Sequence, residues 1–275
     1  MTFATVRTFL VAPPAWAVMW AIAFASFFAC KWLTWTRQAN LRGGRGADAA
    51  AYFLAWPGMD PTAFLRRGAG AKPDIDQLVG AAARIACGIG LIVLAIPRLR
   101  VEHPAVAGAV GMAGLVLTLH FGVFDVMNAV WRTRGVDAAP VMNGPTRATS
   151  VADFWGNRWN TAFHDLARTL VFMPLRRPLG ASGATLATFL ASGVVHDLVI
   201  SVPARGGYGL PTLYFLIQGL GVLVERTRVA RRFGLRASGA MARIFTAIVV
   251  IAPVALLFPP PFLTRVILPF LEVIR

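Results

Sequence analysis

The sequence predicts an all-α integral membrane protein, with about six transmembrane helices plus interfacial or re-entrant amphipathic helices, in one domain over 1–275. Three observations predict it. Hydrophobic residues make up 57% of the chain and charged residues only 14%, with a mean hydropathy of +0.63. Soluble domains carry roughly 25% charged residues, so lipid is the natural solvent for this surface. Six apolar stretches have about the length of a span, and the basic residues between them are unevenly distributed.

The stretches are Val11–Trp35, Leu78–Pro97, Ala105–Met127, Ala181–Val202, Leu210–Val224 and Met241–Phe258. A helix needs roughly 20 residues to cross the hydrocarbon, so the fifth is short. The first reads as a retained span, since no small-residue cleavage site follows it. The loops after spans one, three and five hold 19 basic residues, counting Lys31 with the first of them, and the opposite side holds 6. This predicts cytoplasmic long loops and external termini. Arginine and alanine bias suggests a GC-rich genome and a bacterial inner membrane.

Net charge is +15, but the basic residues form no nucleic-acid motif, so membrane lipids are the expected partners and nucleic acid is not. Cys30 and Cys87 lie within apolar runs and form neither a zinc pattern nor a disulfide framework. The four histidines make no HExxH and no carboxylate cluster, so no metal is expected. There is no GxSxG, P-loop or GxGxxG, and Gly206–Gly209 reads as a turn.

Two long loops exceed simple connections. Gln38–Gln77 contains Tyr52–Phe64, YFLAWPGMDPTAF, which reads either as membrane-surface packing or as a cover over a reaction site. Trp131–Gly180 contains Phe154–Met173, read as one amphipathic helix with Asn157, His164, Asp165 and Arg168 near one face. Pro261–Arg275 reads as a second interfacial helix.

His196 stands well inside the fourth span, in ATFLASGVVHDLVISV. Ionisable groups at that depth face protein or a wet cavity, which makes His196 either a packing residue or a functional one. Asp197 points about 100° away from it and is free to pair with another helix. Ser192 lies one turn earlier on the His196 face, and Ala191, Ser192 and Gly193 permit close helix approach. SVADFWGNRWN, Ser150–Asn160, gathers Trp155, Arg158, Trp159 and Asn160 at the start of the amphipathic helix. It reads as an interfacial anchor, or as a site if the Asn160 amide faces a cavity. His120, in TLHFGVFD, and His164, four residues after Asn160, are further candidates for the cavity wall, each with an equally plain structural reading.

DFWGNRWN, followed 36 residues after Asn160 by the histidine of SGVVHDL, resembles the membrane-bound O-acyltransferases, and especially their wax-synthase-like branch. AYFLAWPGMDPTAFL and LHFGVFDVMNAVW are similar to that branch as well. The resemblance implies acyl transfer from a thioester, usually acyl-CoA as co-substrate without a resident cofactor, to a hydroxyl-bearing lipid or small molecule. A long-chain alcohol would make the product a wax ester. By the same resemblance His196 matches the family's base and Asn160 its asparagine, while Asp197 replaces a common glutamate and Asn157 a common arginine. Arg158, Arg168, Arg176 and Arg177 would meet nucleotide phosphates or lipid. A transporter for a lipid or a hydrophobic small molecule and a non-catalytic membrane subunit are the alternatives.

Overall fold

The computed structural model describes residues 12–37, 46–66, 68, 75–235 and 239–274. Val11, Gln38 and the basic residues Arg7, Arg42, Arg45, Arg67, Lys72, Arg236 and Arg275 lie outside the described residues. Within them every regular element is helical. Five helices are long and apolar enough to cross a membrane, and a sixth, Leu210–Glu225, is apolar but short.

Helix α1, Ala15–Arg37, is the first span. Two short helices, α2 (Gly46–Ala55) and α3 (Pro61–Leu65), make the aromatic segment of the first long loop. Asp60 stops α3 from fraying by accepting hydrogen bonds from the Thr62 and Ala63 amides. Helices α4 (Ile75–Leu99) and α5 (Pro104–Thr133) are the second and third spans. Arg84 of α4 pairs with Asp125 of α5 at 3.0 Å, so these two charges within apolar helices neutralise each other.

A helical turn, α6, covers 151–158, and a helix of 44 residues, Thr161–Ala204, follows. Gly180 divides the latter into α7 (161–179) and α8 (181–204), because its backbone stands at φ 67, ψ 175, a conformation that suits glycine. The predicted start of the fourth span at Ala181 coincides with this kink. Then come α9 (Leu210–Glu225), α10 (Arg228–Arg232), α11 (Ala240–Leu257) and α12 (260–273).

Burial is that of a protein in lipid. Leucine, valine, isoleucine and phenylalanine on the outer faces of the spans are exposed, including Phe24, Leu94, Val195, Leu198 and Ile248. The inner faces use small residues. A Cβ on Gly193 of α8 would stand 2.6 Å from the Thr212 Cα of α9, so the predicted close approach at Ala191–Gly193 is real and its partner is α9.

Packing corrects two expectations and adds to a third. The terminal helix α12 is not an interfacial helix: Phe262, Leu263, Val266, Ile267, Leu268 and Leu271 are buried in the main core with Met19, Ile92, Ile96 and Ala107. Its nearly continuous apolar sequence fits burial on several sides. Tyr52–Phe64 packs inward: Tyr52, Trp56 and Phe64 close a second core with Trp131, Val136 and Ala138, and Trp56 and Met59 also line a groove beside Thr161. The Trp131 indole N–H donates to the Ala55 carbonyl at 2.7 Å, tying the two long loops together. Lys31 is not a loop cation. It is fully buried in α1, with its ammonium 3.7 Å from the Tyr52 ring centroid and donating to the Tyr52 carbonyl.

Candidate active site

The segment Phe154–Met173 is not one helix. Ser150 caps a first turn by accepting from the Asp153 amide. The chain then widens into a π-turn over Phe154–Arg158, closed by a hydrogen bond from the Trp159 amide to the Phe154 carbonyl at 2.8 Å. Trp159 is extended, Asn160 is left-handed at φ 46, ψ 56, and α7 begins at Thr161. Asparagine tolerates this conformation better than most residues. The break means that Asn157 and the α7 residues His164, Asp165 and Arg168 do not share a helix face.

The turn is held from three directions. Asp153 accepts from Arg158 Nε at 2.6 Å, from the Asn157 amide at 3.1 Å and from the Thr149 backbone at 3.2 Å. Burial raises this carboxyl, but the hydrogen bonds from Arg158, Asn157 and Thr149 outweigh it and hold the group below the ordinary aspartate range. Arg158 is thereby committed to the turn. Glu225, nearly buried at the end of α9, accepts from the Val151 and Ala152 amides at 2.6 and 3.2 Å, so it caps α6 from 73 residues away. Gln218 of α9 accepts from the Trp155 indole N–H at 3.2 Å.

His196 lies half-buried on α8. Its Nδ1 is 2.7 Å from the Ser192 carbonyl. A carbonyl only accepts, so Nδ1 carries the proton and a neutral ring keeps its lone pair on Nε2. The ring packs on Phe215 of α9 with centroids 4.4 Å apart. The Ser192 hydroxyl donates to the Thr188 carbonyl at 3.1 Å, within its own helix.

Asp197 faces away from this ring. It accepts from the Ser201 hydroxyl at 2.8 Å, from the Gly209 and Thr212 amides at 2.9 and 3.1 Å, and from the Thr212 hydroxyl. The carboxylate thus caps α9, and its adjacency to His196 in sequence makes no dyad. The glycine turn at 206–209 brings the Gly209 amide to it, with Gly207 and Gly209 at positive φ.

The candidate residues fall into two connected groups. Trp155 joins His196 through Phe215: its ring is 5.5 Å from Phe215 and 6.0 Å, edge to face, from Phe189 of α8. Trp159 joins His120, with near-parallel rings 6.4 Å apart, and stacks on Phe154 at 5.6 Å. His120 sits in a π-turn of α5, Leu119–Val123, and its buried Nδ1 has no hydrogen-bond partner among the described residues. Asn160 follows Trp159; its backbone amide meets the Met142 sulfur at 3.4 Å, and its side chain caps nothing. His164 is close to Gly156 on the inner side of the π-turn. No hydrogen bond joins Asn160 to His196 among the described residues; the Phe154–Trp155 contact links the two groups, at 5.1 Å.

A groove of about 280 Å³ opens beside the Asn160 end, lined by Arg37, Trp56, Met59, Thr161, Asp165 and Leu166 among others. The sequence reading missed Gln218, Glu225 and Phe215. The first two were marked by their polarity inside an apolar stretch, the signal that singled out His196. Among the described residues no group of three or more metal-binding side chains occurs.

Fold and site define a class of protein: a helical membrane bundle in which polar side chains from three spans and one interrupted segment meet among aromatic rings. Residues 138–217 match the family model described as the membrane bound O-acyl transferase family. This part of the chain is similar to that family, as its motifs predict, and it contains both Asn160 and His196. The chain is 35% identical to a "Probable long-chain-alcohol O-fatty-acyltransferase 9" of Arabidopsis thaliana, over 47% of this chain and 41% of that protein. It is 34% identical to a "Long-chain-alcohol O-fatty-acyltransferase" of Simmondsia chinensis, over 34% and 29% of the two chains. An "Acyl-CoA--sterol O-acyltransferase 1" of Arabidopsis thaliana matches at 29%, over 49% and 41%. The matched region spans less than half the length of these relatives.

Proposed function

We propose that the protein is a membrane-embedded O-acyltransferase that moves an acyl group from a thioester, acyl-CoA as co-substrate, to a hydroxyl acceptor. The carrying observation is the Nδ1–H donated by His196 to the Ser192 carbonyl, which leaves Nε2 as the basic nitrogen in a span. A hydroxyl is a weak nucleophile until a base takes its proton, and neutral imidazole supplies that base. The hydroxyl oxygen attacks the thioester carbonyl as Nε2 accepts the proton. Collapse of the tetrahedral intermediate breaks the C–S bond, and the proton passes from Nε2 to the leaving thiolate. Asn160, with its amide uncommitted to capping, donates to the oxyanion. Trp155, Trp159, His120, His164 and Ser192 are the residues assigned in this reading to contact with the substrates, and the buried Nδ1 of His120, without a partner among the described residues, supports that role for His120.

The names of the relatives favour a long-chain alcohol acceptor and a wax ester product, with a sterol as the second choice. Exposed Arg168, Arg176 and Arg177 on α7 suit the phosphates of the donor or of lipid. The charge asymmetry supports cytoplasmic long loops, where CoA thioesters occur, and the composition supports a bacterial inner membrane. The test is turnover by purified protein in lipid nanodiscs, offered an acyl-CoA and a panel of alcohols and sterols. Thiol release matched by ester formation is the expected result; neither product, from folded protein, contradicts the reading and favours a transporter or a non-catalytic subunit.

A further inference from the structure

Gln218 is a fully buried primary amide in the middle of an apolar helix, and both ends of its carboxamide are engaged. Its Oε1 accepts from the Trp155 indole at 3.2 Å, and its Nε2 donates to the Val249 carbonyl of α11 at 2.8 Å. Helix geometry explains why that carbonyl is available. Its usual donor is the amide four residues later, and residue 253 is proline, which has no N–H. Tyr214, one turn before Gln218, donates to the next carbonyl, Val250, at 3.2 Å. The missing N–H of Pro253 thus leaves the Val249 carbonyl free to fix the orientation of the Gln218 amide, with Nε2 toward α11 and Oε1 toward Trp155.

We propose that Gln218 is a positioning residue for acyl transfer, acting through Trp155. This rests on the acyltransferase reading. The Trp155 ring contacts Phe215, and Phe215 contacts the His196 ring, so the indole hydrogen bond sets the wall against which the base packs. A Cβ on Gly221, three residues beyond Gln218, would stand 2.8 Å from Val249 and 3.5 Å from Val151, so α9 lies tightly between α11 and the start of α6. The bridge therefore links three elements with little slack. Misplacing a reacting group by about 1 Å can cost on the order of 100-fold in rate, so loss of the bridge should lower kcat more than it raises KM.

A double-mutant cycle in nanodiscs tests this. Gln218→Leu and Trp155→Phe each remove one side of the indole hydrogen bond, and each should lower kcat by about tenfold or more. If Gln218 acts through Trp155, the double variant falls no further than the worse single variant. Pro253→Ala returns a helix donor to the Val249 carbonyl, so Gln218→Leu in that background removes only the Trp155 contact and guards against simple misfolding. The 15N-indole resonance of Trp155, assigned from its loss in Trp155→Phe, should move in Gln218→Leu. Multiplicative losses in the cycle, an unmoved resonance, or unchanged kcat in Gln218→Leu would each overturn the proposal while leaving acyl transfer intact. Absence of turnover in the wild type would overturn the acyltransferase reading itself, and the positioning role with it.

Discussion

The role proposed for His196 depends on which ring nitrogen is free. Nδ1 is committed to a main-chain carbonyl of its own helix, an interaction that no neighbouring side chain can withdraw. His196→Ala should lower acyl transfer by about 10²–10⁴, the usual contribution of a general base, with little change in melting temperature. Asn160 allows a cleaner separation of backbone from side chain. At φ 46 an alanine would be strained, whereas glycine adopts the conformation freely. Asn160→Gly should therefore stay folded by thermal melting and lose about 10²–10³ in kcat if its amide serves the oxyanion. Unchanged kcat in the folded variant would make Asn160 a turn residue only. His196 and Asn160 were both legible in the sequence because each sits in a short motif. The roles of their neighbours were not: Asp197 looks like a partner of His196, yet it caps α9, since successive helical side chains diverge.

At the scale of elements, α9 is the spine of the site. Thr212, Phe215, Gln218 and Glu225 meet Asp197, His196, Trp155 and the start of α6 in turn. Their spacing of three and seven residues places them along one side of a helix. Asp197→Asn removes charge from a site with four donors and should cost about 1.5–3 kcal/mol of stability, read as a lowered melting temperature in detergent. Asp153 contributes a pH dependence of known sign. Its folded pKa is depressed, so its stabilisation is present above the ordinary aspartate range and is lost as pH falls through the folded value. Melting temperatures followed from about pH 6 down to about pH 3 should fall, and Asp153→Asn should remove part of that dependence. The spans were legible because hydrophobic runs have only one stable form in lipid. The interruption at Trp159–Asn160 was not, because apolar spacing continues across it. Its sequence signal is chemical: Gly156, Asn157 and Asn160 are weak helix formers within five residues. The burial of α12 was hidden for a related reason, since an apolar segment broken by prolines reads alike at an interface and inside a bundle.

Across the whole molecule, two kinds of adhesive hold the spans: small-residue contacts such as Gly193 against Thr212, and part-buried polar ties such as Arg84–Asp125. Charge asymmetry supports the proposed orientation of the assembly. Single cysteines replacing Arg134 and Tyr208, with Cys30 and Cys87 removed, test that orientation in intact cells. An impermeant thiol reagent should label position 208 directly and position 134 only after lysis. The family match covers residues 138–217, but the contacts that support this segment reach from the Trp131 loop contact to Val249. Catalysis should thus depend on parts of the chain well outside the motifs. The most direct test of the central claim is lipid mass spectrometry of cells expressing wild-type protein or His196→Ala at equal membrane abundance. An ester that appears with the wild type and is absent with His196→Ala is the predicted result, and its mass would name both acyl group and alcohol. The same ester at equal level in both would contradict His196 as the base, and no new ester from either would contradict acyl transfer.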